Sequence, residues 1–201
     1  MPDFRMPIPP APGGGPVAKA TSVTQEGEPD GYVAPLCYKA EVLHGGVSRL
    51  VISAPPGALE RVHRALVNAL KPPFKLLYVQ MVDRARGVQL PKPRRLVAVD
   101  IPRDRLLAGL HDLRRLVYED ARHQLWIRGA QGEQLVLEET GVLFVYPDDF
   151  LFREVLESQG VEEREAETLA DRDYLRVNFD AACDAEEADL LDRFHLLPWE
   201  G

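Results

Sequence analysis

Signatures of catalysis and of cofactor binding are missing from this chain of 201 residues. No G-x-S-x-G elbow exists to present a serine nucleophile, and serine itself is scarce, standing only at Ser22, Ser48, Ser53 and Ser158. The triplet His44-Gly45-Gly46 therefore reads as a hairpin turn that needs small residues, not as a source of oxyanion-hole amides. Neither G-x-x-x-x-G-K-S/T nor G-x-G-x-x-G occurs, which removes the common phosphate-cradling loops. The histidines His44, His63, His111, His123 and His195 show no H-x-H or H-E-x-x-H spacing, and no C-x-x-C accompanies them. After Pro147, Asp148 and Asp149 are followed by no lysine placed to position water beside a carboxylate-held metal, so they read as a helix cap. No catalytic residue, no metal and no cofactor is expected.

Cysteine is nearly absent too. Cys37 and Cys183 sit in unrelated contexts and are expected as reduced, partly buried thiols. No apolar run approaches the roughly 18 residues of a membrane helix, and the first residues lack the basic-then-apolar profile of a secretory signal. The expectation is a cytoplasmic protein with no membrane contact. Lysine, at 5 residues against 19 arginines, is the scarce cation; we read this as coding bias, without functional meaning.

What the chain does have is segregated charge. Residues 32–128 hold 17 Lys/Arg against 8 Asp/Glu, whereas residues 129–201 hold 5 against 20, in a chain of net charge −8. Such a split predicts either pairing within one fold or a field presented to a charged partner.

Residues 1–31, with 7 Pro and 5 Gly, are expected as a disordered tail before a single domain at 32–201. Two P-x-x-P spacings in Pro7–Pro12 fit an SH3-like groove, although a solvated linker needs no such partner. In the domain, Leu36–Leu43 and Arg49–Ala54 alternate as paired strands. Leu59, Val62, Leu66 and Leu70 recur at helical spacing after Pro55-Pro56-Gly57. Phe74–Val82 reads as a strand covered on two faces, followed by a basic loop and a strand at Arg95–Ile101. Leu106, Leu110, Leu113 and Val117 mark a second helix to about Tyr118. Gln124–Arg128, Gln134–Glu138 and Val142–Tyr146 form a meander. A third helix after Pro147 turns Leu151 and Val155 inward, and a short strand is read at Tyr174–Phe179. The last helix buries Ala188, Leu191 and Phe194, with Asp184 and Glu187 spaced for capping. Grouped strands predict an α+β fold: a mainly antiparallel sheet of six or seven strands with three to four helices.

Among functional candidates, Arg84, Arg86, Lys92, Arg94 and Arg95 cluster in a Gly- and Pro-containing loop able to grip phosphates. Interleaved aromatics are lacking and the whole chain is acidic, which disfavours nucleic acid and favours arginines facing the acidic C-terminal third.

The segments Leu70-Lys71-Pro72-Pro73-Phe74, Leu77-Tyr78-Val79, Asp120-Ala121-Arg122-His123-Gln124-Leu125-Trp126 and Val142-Leu143-Phe144-Val145-Tyr146 resemble a family of uncharacterised bacterial proteins. The resemblance spans about residues 66–195 and implies a single bacterial α+β domain, with no activity or functional residue to carry over. These readings together predict a non-enzymatic cytoplasmic protein acting by protein–protein contact, as an accessory or immunity-like binder. The alternatives are an anion- or nucleic-acid-binding regulator that uses the basic loop, and an enzyme whose His, Asp and Glu residues assemble only in space.

Overall fold

Alternation along Leu50–Ser53 and Leu143–Tyr146 sends side chains to both faces of a sheet, and on these strands both faces are buried. The computed structural model describes residues 17–199, so the P-x-x-P spacings at Pro7–Pro12 lie outside the described residues. In chain order these form β1 (Ala20–Ser22), β2 (Cys37–Val42), β3 (Ser48–Ser53), α1 (Pro56–Ala69), β4 (Phe74–Asp83) and β5 (Val88–Ile101). Then come α2 (Arg103–Asp112), α3 (Arg114–Glu119), β6 (His123–Arg128), β7 (Gln134–Leu137), β8 (Leu143–Tyr146) and α4 (Phe150–Ser158). The last elements are β9 (Glu162–Glu163), β10 (Tyr174–Arg176), α5 (Ala182–Phe194) and β11 (Leu197–Pro198).

Among the described residues, nine strands make one sheet in the order β11-β5-β4-β6-β7-β8-β3-β2-β9. All neighbours are antiparallel except β2 and β9; β1 and β10 pair separately as a ribbon. The fold is α+β with a mostly antiparallel sheet, as expected, but it holds more strands and helices than predicted. The unexpected strands β1, β9 and β11 have two or three residues, too few to leave an alternating pattern. The predicted second helix is interrupted at Leu113 (φ −104°, ψ 32°), giving α2 and α3 in its place. Its stripe is otherwise correct, with Leu106, Leu110, Leu113 and Val117 all buried.

Four further expectations need correction. Strand β5 begins inside the predicted basic loop, and residues 90–93 bulge opposite Met81, where Pro91 and Pro93 have no N–H to give a ladder. On α4, Phe152 and Leu156 turn inward while Leu151 is exposed; Asp149 is the cap, accepting from Leu151 N at 2.8 Å. On α5 the buried face is Cys183, Glu187, Leu190 and Phe194, so Ala188 stays outside and Asp184 caps nothing. The tail expected over 1–31 does not reach that far: Lys19, Ala20 and Ser22 are buried, and β1 is locked to β10 through Ala20–Arg176 and Ser22–Tyr174 pairing.

The five helices pack on one face of the sheet, where Leu76, Tyr78, Leu125 and Ile127 meet Leu66, Leu116, Leu190 and Phe194 in the main core. Each fully buried leucine there contributes about 1.5–3 kcal/mol. The other face is only half covered. Over β3, β8 and β7, the residues Val51, Phe144 and Val136 lie beneath Ala20, Leu169, Tyr32 and Tyr174 from the β1–β10 ribbon and its flanks. Over β5, β4 and β6 no described element lies on that face.

Candidate functional site

Two places merit description, one closed and one open. The closed one gathers charged residues where β4, β6 and α5 meet under the β1 end of the ribbon. Asp120, fully buried, receives Arg122 through two side-chain bonds (Nε 3.0 Å, Nη2 2.6 Å to Oδ2) and through its backbone N at 2.8 Å. Arg84 reaches the same carboxylate at 3.2 Å and Asp184 at 3.0 Å. Its Nε lies 2.8 Å from Glu187 Oε2, an ion contact without hydrogen-bond alignment. Glu187 also accepts a 2.5 Å bond from the Tyr78 hydroxyl. Burial opposes ionisation of Asp120, yet the bonds from Arg122 and the charge of Arg84 beside it hold the carboxyl well below the usual carboxylate range.

His123 stacks on Tyr78 with ring centroids 4.9 Å apart, and neither of its ring nitrogens has a hydrogen-bond partner. Its Nδ1 is 3.8 Å from Asp120, too far for a bond, and burial pushes its pKa down to about 3. Lys19 enters from the strand ribbon, donates to Val117 O at 3.0 Å, and is lowered to about 8, by burial first, against the pull of Asp120 and Glu139. Sequence spacing does not reveal this assembly, because its members come from four separate stretches of chain, at Lys19 and at residues 78–84, 120–123 and 184–187. Its partners are consumed internally: Arg84 and Arg122 clamp α5 to the sheet, and Asp120 and His123 have no exposed surface. A cavity of about 260 Å³ between the strap of chain that carries β1 and helix α1, lined by Lys19, Tyr32, Ser53, Tyr118 and Thr140, adjoins it.

The open place is the uncovered half sheet. Leu77, Val79 and Met81 of β4, Val97 and Val99 of β5, and Trp126 of β6 floor a groove of about 710 Å³. Trp199 closes one side, its backbone N bonded to Arg95 O at 2.9 Å. Val99 is 53% and Trp199 46% exposed. Trp126 is shared between the two halves: it packs against the covered cluster and lines the groove, with its indole N–H donating to Gln124 Oε1 at 3.1 Å. Lys75, Arg95 and Arg128 stand on the rim, and no acidic side chain lines the groove.

The five basic residues singled out from sequence part company. Arg84 turns inward to Asp120, Asp184 and Glu187, whereas Arg86 is 80% exposed at the hairpin tip and only 3.8 Å from Asp83. Lys92 is exposed on the bulge, Arg94 donates to Gln80 Oε1 at 3.3 Å, and Arg95 lies over the Trp199 ring at 5.9 Å. The aromatics absent from the linear stretch thus stand beside Arg95 in space. The signal that could have found them is rarity: Trp126 and Trp199 are the only tryptophans of the chain, and both line the groove. Among the described residues no group of three His, Cys, Asp or Glu side chains is arranged to hold a metal, and no helix is long and apolar enough to cross a membrane.

Comparison with protein-family models, with curated proteins and with solved structures found no match to this chain. The resemblance to the bacterial family rests on the quoted motifs alone.

Proposed function

We propose that this is a non-enzymatic binding protein that acts by holding another protein on the uncovered half of its sheet. The observation that carries the reading is the contrast within one face. Its β3–β8–β7 half is sealed by the ribbon, while its β5–β4–β6 half leaves Val99 and Trp199 exposed and Leu77, Met81, Val97 and Trp126 partly exposed. A contiguous apolar patch beside charged rim groups is the anatomy of an interface core with a polar rim. The inward commitment of the titratable cluster adds support, since those groups serve the packing of α5 and the strap. The cytoplasm, where glutathione and thioredoxin keep thiols reduced, is the compartment that suits Cys37 and Cys183, both buried and unpaired.

Site-specific photo-crosslinking in cells tests this. A benzophenone side chain at Val99 should give a discrete adduct that Val97→Asp abolishes. The same probe at Val42, 77% exposed at the opposite side of the strand order, should give none. Equal labelling at both positions, or none at Val99, would remove the groove as the working surface.

A further inference from the structure

Resting on that reading, we propose that the partner presents an extended segment in which carboxylates alternate with apolar side chains. Three observations converge on this chemistry. The first is charge. In a chain of net charge −8, Lys75, Arg95 and Arg128 on the groove rim have no acidic partner within ion-pair distance among the described residues. Many arginines elsewhere are ion-paired, Arg49 by Glu41, Arg114 by Glu60, Arg153 by Asp148 and Glu163, Arg193 by Asp112, while Arg61, Arg94, Arg103, Arg105 and Arg176 donate to carbonyl or amide oxygens. Asp100 lines a second depression with Lys75 and Arg128 and pairs with neither. Among the described residues, a ligand carrying negative charge meets three unpaired cations along the groove and no acidic side chain in its lining.

The second is the floor. Leu77, Val79, Met81, Val97 and Val99 offer flat aliphatic surface, which takes aliphatic or aromatic side chains. Single-stranded nucleic acid wants a row of stacking rings and a basic protein; here one indole lies in a mainly aliphatic floor and one at its side, in an acidic chain. A protein segment is the occupant the floor favours.

The third is the molecule's own precedent. The other half of the same face is covered by extended chain, with Tyr32 and Tyr174 set down on apolar residues. The charges of that cover are paired at its margin, Arg172 with Asp30 at 2.7 Å and Lys39 with Asp171 at 3.0 Å. Extended backbone advances about 3.3 Å per residue and strands stand about 4.8 Å apart, so roughly three to four residues cross the three strands of the open half.

Both tryptophans line the groove, so indole emission reads this site and no other. The probes are short peptides of equal length alternating Leu with Glu, Leu with Ser, or Leu with Lys, together with oligothymidylate. The Leu/Glu peptide should shift the emission to the blue saturably, about ten-fold tighter than Leu/Ser, from three modest ion pairs. Its affinity should fall as salt is raised, and Leu/Lys should not bind. The double variant Arg95→Glu/Arg128→Glu, with its melting curve unchanged, should exchange the preference of Glu for Lys. Leu/Ser binding as tightly as Leu/Glu would overturn the acidic segment while leaving the groove a binding face. Tighter binding of oligothymidylate would replace the protein partner with nucleic acid. Emission that shifts with protein concentration alone, with dimers in sedimentation, would make a second copy the occupant. No shift with any probe, beside a positive crosslink at Val99, would sink the extended segment but not the binding face.

Discussion

At the scale of single residues, burial of titratable groups sets opposing pH dependences. His63 and His123 are fully buried and held neutral, each lowered from 6.5 to about 3, chiefly by burial and secondarily by Lys19. The unfolded chain therefore binds their protons first, and stability is lost as pH falls below 6.5, at about 1.4 kcal/mol per pH unit for each histidine. His123→Leu should flatten the stability curve between about pH 6 and pH 4.5 by one histidine's share. An unaltered slope in urea unfolding would mean that His123 is protonated inside the fold. Glu138 works the other way. Burial, with Glu139 nearby, raises it from 4.5 to about 7 against the pull of Arg49, so its folded form takes up the proton first. Its contribution is present below 4.5 and is lost as pH rises through 7. Glu138→Gln should accordingly raise stability at pH 8 by about 1 kcal/mol and add nothing at pH 4, as thermal melts at the two pH values would reveal.

At the scale of elements, the strap that carries β1 is the segment most at odds with its composition. Its Pro- and Gly-rich surroundings suggest an unfolded tail, yet Lys19 Nζ anchors it to Val117 O and Ala20 helps cover Val51 and Phe144. Removing residues up to Val23 should cost at least about 2 kcal/mol from the uncovered apolar area and should lower the melting temperature. A truncated protein that melts with the full chain would show that the strap rests on the sheet without holding it. The same comparison explains what the sequence could and could not disclose. Helix α1 and the β6–β7–β8 meander were legible because each carries its own local period and its own stops, Lys71-Pro72-Pro73 and the turns at Gly129–Gly132 and Glu139–Gly141. The inward face of α5 was not, because periodicity assigns an acid to solvent, and Glu187 is inside only by virtue of Tyr78, Gln80 and Arg84 from β4 and its hairpin. The groove was illegible for a further reason. Leu77, Val97 and Val99 read as ordinary strand residues, and their exposure follows from where the ribbon stops, which no local pattern encodes.

At the scale of the whole molecule, the segregated charge is answered in part within the fold and in part left open. Arg84, Arg115 and Arg122 of the basic middle meet Asp180 and Asp184 of the acidic C-terminal third, and Lys39 meets Asp171. Among the described residues the Arg94 guanidinium meets the Gln80 amide and that of Arg95 the Trp199 ring, neither of them an acid. Charge reversal should therefore divide the basic cluster into two classes. Arg84→Glu would place a fourth acid against Asp120, Asp184 and Glu187 and leave Asp120 short of a buried counter-ion, a loss of about 3–5 kcal/mol or more. Arg95→Glu lies on an exposed rim and should change stability by no more than about 0.5 kcal/mol. Raised chloride should barely move the melting of either the parent or Arg95→Glu, because the pairs that matter are shielded from solvent and therefore from salt. If Arg95→Glu unfolds the protein as Arg84→Glu does, the rim is part of the internal pairing and holds no charge in reserve for a partner. If it leaves the melt intact and abolishes the crosslink at Val99, the two halves of the charge pattern have separate tasks: one closes α5 onto the sheet, and the other faces outward to be neutralised by what docks there.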